Sequence, residues 1–146
     1  MSARLLLLCR VVLGALFAWA AVAKLPDMAA FAQDVANYRL VPPLLVPWVA
    51  SAVVGIELLA GLALISGVMA RPAALVIGGL LAVFTGFLAQ ALLRGIDLRC
   101  GCFGGDEPAS WWTVVRDLVM LAAAAAVARG PSTAGEASRS DEKLVA

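Results

Sequence analysis

Cys100 and Cys102 are separated by one residue, a glycine, in the run Arg99-Cys100-Gly101-Cys102-Phe103-Gly104-Gly105. Two thiols at this spacing can close on each other if the chain between them bends, and Gly101 admits backbone angles that a side chain would resist. A disulfide needs its Cα atoms within about 7 Å, so a ring this small is expected to be strained. Strained, exposed disulfides exchange more readily than structural ones. Arg94 and Arg99 favour the thiolate, while Asp97 and Asp106 oppose them. Three chemistries fit the pair: a redox couple, a soft-metal pair for copper or zinc, and a structural link. The metal version has no completed shell, because the chain has no histidine and no third cysteine nearby.

Charges set in apolar surroundings form the second group. A charge in lipid costs about 2.5–3.5 kcal/mol on insertion scales, so each should find a partner. Arg10 lies about five residues into the first apolar stretch, roughly 8 Å deep, and Glu57 about eight residues into the second from the same side, roughly 12 Å. A long arginine can bridge that gap, so an Arg10–Glu57 ion pair is expected. It would either fix helix register or leave Glu57 a proton or ligand role. At the opposite side, Lys24, Gln90, Arg116 and Asp117 fall near the level of the cysteines. They would form a polar floor beneath the thiols, or else act as local caps and snorkelling side chains. Trp111 and Trp112, with Phe103, either anchor a span at the interface or line a quinone pocket.

The elements that must carry these groups are helices. A bilayer core takes about 20 apolar residues as helix, and four stretches qualify: Leu5 to Ala23, Leu44 to Ile65, Pro72 to Leu93 and Trp111 to Ala128. They are apolar nearly all round, as lipid-facing helices are. Small residues recur on them, among them Gly14, Gly55, Gly61, Gly78, Gly79 and Gly86, and suit close helix packing. The basic, apolar start ending in Ala21-Val22-Ala23 could also be a signal peptide, but it is long enough to span and three more spans follow. Cys9 reads as a packing thiol.

Between the first two spans, Met28, Phe31, Ala32 and Val35 recur at helical spacing, with Asp27, Asp34 and Asn37 on the other side. This predicts a short interfacial helix, serving as a lid over a site or as a plain connector. The expected fold is therefore all-α: a four-transmembrane-helix bundle over residues 1–129, with that interfacial helix between helices 1 and 2 and the Cys-Gly-Cys loop between helices 3 and 4. Residues 130–146, opening Gly130-Pro131-Ser132 and then charged, are expected to be a disordered tail.

Composition agrees with this and excludes much else. Of 146 residues, 63% are hydrophobic and 14% charged, against about half and a quarter in soluble domains. A net charge of +1 gives no basic field for nucleic acid. The lack of histidine removes serine–histidine triads and imidazole metal sites. Counting Arg4, Arg71, Arg129, Arg139 and Lys143 against Lys24, Arg39, Arg94 and Arg99 favours cytoplasmic termini by a small margin.

These residues resemble the methylamine-utilisation (MauE) family, within the wider DoxX-like membrane proteins. The likeness runs over residues 4 to 128. It rests on Arg10 with Leu13-Gly14 and Phe17, Ala23-Lys24, Tyr38-Arg39-Leu40 with Pro42, Glu57 with Gly61, Arg71, Arg94-Gly95, Cys100-Gly101-Cys102-Phe103-Gly104, and Trp112 ahead of Arg116-Asp117. The resemblance implies a four-helix protein of the inner or plasma membrane with the cysteine loop on the extracytoplasmic face. By the same analogy Cys100 and Cys102 would exchange disulfides with a thioredoxin-like partner or a disulfide-containing client, supported by Arg99, Lys24, Gln90, Arg116 and Asp117, with electrons passing to or from membrane quinone. The alternative is a non-enzymatic scaffold or assembly factor whose cysteines are structural or hold a metal.

Overall fold

A computed structural model describes residues 2–97 and 108–130. Among the described residues every regular element is helical: α1 Ala3–Lys24, a single 3-10 turn Leu25–Asp27, α2 Met28–Asn37, α3 Val46–Ser66, α4 Ala70–Leu93 and α5 Trp111–Arg129. Four of them, α1, α3, α4 and α5, are long and apolar enough to cross a membrane. The Cys-Gly-Cys run, with Arg99 and Phe103, lies outside the described residues, as does the tail from 131 onward.

Local chemistry sets the boundaries. Ser2 caps α1, its hydroxyl accepting from the Leu5 amide at 3.4 Å. The helix stops at Lys24 because Pro26 cannot supply an amide to continue it. The 3-10 turn that follows ends on Asp27, whose carboxylate accepts from the Ala30 amide at 2.9 Å and starts α2. α3 carries Pro47 in its first turn, where a missing amide costs nothing. It ends at Gly67, which takes the left-handed conformation (φ 77°) that glycine adopts without strain. α4 closes with Gly95 left-handed (φ 66°) and the Ile96 amide bonding back to the Ala91 carbonyl at 3.0 Å, a Schellman turn.

The helices form a ring of antiparallel neighbours. α1 packs most extensively on α3, and α4 on α5. The α1–α3 contact is built on glycine. A Cβ on Gly14 would lie 2.7 Å from the Gly61 carbonyl oxygen, and one on Gly61 would lie 2.7 Å from the Ala18 amide nitrogen. These are backbone atoms that cannot step aside, so the two helices touch through their main chains, as small residues permit in lipid. Gly78 plays a milder part against Ala124 and Leu121 at 3.7 and 3.8 Å. Gly55, Gly79 and Gly86 have nothing within 4 Å and are not close-packing sites. A Cβ on Gly130 would lie 3.0 Å from Leu6, so the start of α1 and the end of α5 share one end of the bundle.

The interior is Leu13, Phe17, Leu64, Ala74, Ile77, Leu81, Met120 and Ala124 at one level, and Ala21, Phe31, Val35, Val46, Ala50 and Val54 beneath α2 at another. The outer faces are as apolar as the inner ones: Leu59 is 71% and Val119 65% exposed. In water that would be a liability; in acyl chains it is the expected surface.

Candidate functional site

Glu57 sits midway along α3 and is buried, 5% exposed. Its partner is Lys24, 3% exposed, at the last turn of α1: Nζ donates to Oε2 at 2.7 Å. The expected Arg10–Glu57 pair is thereby corrected. The physical reason is side-chain direction. Every helical side chain leans toward its own helix N-terminus. Lys24 therefore leans back into the bundle from the far end of α1, and Glu57 leans up α3 toward it. Arg10 leans the other way, away from Glu57. Its guanidinium lies against Gly67 at the α3–α4 turn, within about 3 Å of where a Cβ would stand, and its Nε is buried without a hydrogen-bond partner among the described residues. The Lys24 ammonium also stands 5.0 Å from the centre of the Phe31 ring, a cation–π contact supplied by α2.

This pair forms part of the wall of a cavity of about 40 Å³ at the seam between the α1–α3 and α4–α5 pairs. Phe17, Ala20 and Lys24 of α1, Glu57 of α3, Leu80, Leu81 and Phe84 of α4, and Asp117 and Met120 of α5 line it. α2 covers it with Phe31, Asp34 and Val35, and Tyr38 just past its end adds a ring. α2 thus connects two spans and contributes to the wall of this cavity. Asp34, expected on the outer side of α2, instead faces the cavity. It stands between Phe31 and Val35 on the inward stripe and one turn before Tyr38, whose ring meets Phe87 at 6.4 Å between centroids.

Asp117 is 2% exposed, two turns into α5. Its Oδ1 accepts from Arg116 Nε at 3.3 Å and from Arg116 Nη2 at 3.1 Å, while the arginine itself is half-buried at the bundle edge. Of the four residues expected as a polar floor, Lys24 and Asp117 line one cavity and Arg116 holds Asp117. Gln90 does not join them; it lies exposed in the last turn of α4.

Trp111 and Trp112 are 55% and 75% exposed and turn outward. Phe103, expected beside them, lies outside the described residues. Sequence reasoning missed the contribution of Phe17, Tyr38 and Phe84. The one available signal was the inward spacing Phe31, Val35, Tyr38 on a segment too short to span.

A bundle of four apolar helices, with two buried carboxylates and an ammonium around a cavity between them, defines the class: a multi-pass membrane protein. The chain belongs to the MauE family; the family model for methylamine utilisation protein MauE matches residues 2–130. It is 39% identical over 132 residues to the methylamine utilization protein MauE of Paracoccus denitrificans, covering 88% of this chain and 71% of that protein. No solved structure matches.

Proposed function

We propose that this chain is a membrane thiol–disulfide redox protein, exchanging disulfides through Cys100 and Cys102 with an extracytoplasmic thioredoxin-like protein or disulfide-containing client. The observation that carries the reading is the Cys100-Gly101-Cys102 spacing in the segment joining α4 to α5. The described residues that flank it, the end of α4 and the start of α5, lie at the same end of the bundle as Lys24 and α2. In the exchange, a thiolate of one cysteine attacks a sulfur of the partner disulfide. A mixed disulfide forms as the partner's other sulfur leaves as thiolate. The second cysteine then attacks the mixed disulfide, closing the Cys100–Cys102 bond and releasing the partner reduced. Two electrons move to the partner, and the two protons of the starting thiols go to solvent or to the partner's thiolates. The reverse sequence oxidises a client.

Arg99 beside the pair favours thiolate. Cytoplasmic termini and an extracytoplasmic loop complete the proposal, the arrangement that the charge count favours.

The test is trapping in cells. Cys102→Ser or Cys100→Ser should hold a partner in a mixed disulfide, and the double variant should hold none. Capture that is unchanged in the double variant, or a Cys100–Cys102 bond that no cellular reductant opens, would end this reading in favour of a scaffold with a fixed link. Running the oxidation in nanodiscs with and without added quinone identifies the electron acceptor.

A further inference from the structure

Among the described residues, Glu57 spends Oε2 on Lys24 and Asp117 spends Oδ1 on Arg116, and neither residue makes another contact of this kind. Glu57 Oε1 and Asp117 Oδ2 are thus carboxylate oxygens without a donor, on side chains at least nine-tenths buried. Neither is sealed into packed protein: the sealed, unpartnered polar atoms among the described residues are Arg10 Nε and Thr85 Oγ1. Both residues line the cavity, so it is the space in which these oxygens can meet a donor. A buried acceptor without a donor is costly, and the cavity must hold something that donates hydrogen bonds.

The rest of the wall narrows the guest. Phe17, Phe31, Tyr38 and Phe84 place four aromatic rings around it, and ring faces attract cations. The cavity already solvates one ammonium in this manner, since Lys24 Nζ rests between Glu57 Oε2 at 2.7 Å and the Phe31 ring at 5.0 Å. The volume of about 40 Å³ excludes a bulky ligand. We propose that the cavity is a binding site for a small ammonium ion, either ammonium itself or a short primary alkylammonium. Its N–H groups donate to Glu57 Oε1 and Asp117 Oδ2, and its body lies against the rings. The site makes no use of Cys100 or Cys102 and stands or falls apart from thiol exchange.

Thermal unfolding of the full chain in nanodiscs at neutral pH tests this, with ammonium chloride, methylammonium chloride, tetramethylammonium chloride and potassium chloride at equal ionic strength. A ligand that binds only the folded state raises the midpoint saturably. Ammonium and methylammonium should do so; potassium, and tetramethylammonium with its charge but no N–H, should not. Asp117→Asn should weaken the apparent affinity about tenfold, the loss of one charge-assisted hydrogen bond. Phe84→Trp, which fills the cavity and leaves every charge in place, should abolish the effect even if the Asp117 variant fails to fold. Equal response to all four salts means the cavity holds only water and overturns the proposal. So does stabilisation by tetramethylammonium equal to that by ammonium, or binding that survives Phe84→Trp.

Discussion

Lys24 and Glu57 illustrate how a buried charge pair is judged by what happens when it is halved. Desolvating two ions offsets most of their attraction, so the pair adds little net stability, yet removing one partner strands the other. Glu57→Gln should therefore destabilise the protein by about 3–5 kcal/mol, read by unfolding in mixed micelles. The double variant Lys24→Met with Glu57→Leu should recover most of that loss, and the cycle isolates the coupling between them. A single-variant loss below about 1 kcal/mol would mean that water screens the pair as on a surface.

The same residues show where sequence reading stops. Depth along a span can be counted from the chain, which marked Arg10 and Glu57 as groups to be partnered; among the described residues Glu57 has a partner and Arg10 Nε does not. Which partner each finds depends on the lean of the side chain, and counting backbone levels ignores it. Lys24 looked like a span-end snorkeler because it ends α1; its nitrogen is buried against Glu57 Oε2. Asp34 looked solvent-facing because its neighbours Asp27 and Asn37 are polar, and only the seating of α2 on the seam turns it inward.

At the scale of elements, the glycines divide by what lies opposite. Gly61→Val should separate α1 from α3, because its Cβ would stand 2.7 Å and 2.8 Å from the Ala18 nitrogen and the Gly14 oxygen. Overpacking of this kind costs about 1–3 kcal/mol, measurable in the same unfolding assay. Gly55→Ala and Gly86→Ala, with open space opposite, should be neutral or stabilising by about 0.4–1 kcal/mol, since alanine reduces the freedom of the unfolded chain and favours helix. If all three behave alike, main-chain contact does not hold the α1–α3 seam. The four spans were legible from length and apolarity alone, with ends within about two residues of those found; Pro26, Pro47, Gly67 and Gly95 mark several of those ends in the structure. The six glycines were not separable that way, since an all-round apolar helix carries no period to say which face is inward.

For the whole molecule, an even number of spans and the contact between Leu6 and Gly130 place both ends of the described chain together. A reporter fused after Gly130 should report the cytoplasm, and a membrane-impermeant thiol reagent should label Cys100 and Cys102 from outside intact cells after reduction. Labelling only after lysis would reverse the proposed orientation and remove the extracytoplasmic partner with it. The cavity was not legible at this scale, because it forms from residues on five helices whose only common property is where the packing brings them.

Leu59 and Val119 on the periphery are no less oily than Leu64 and Ile77 at the centre. Aversion to water therefore gives these rods no reason to present one flank rather than another once they are in the bilayer. The decision about rotation falls to a few groups: the bare backbone where Gly14 meets Gly61, and the ammonium and carboxylate that find each other across the first and second spans. Drift in the leucines and valines facing the acyl chains should pass without penalty. A change at any of those four positions would leave a protein that inserts normally and then assembles in the wrong rotation.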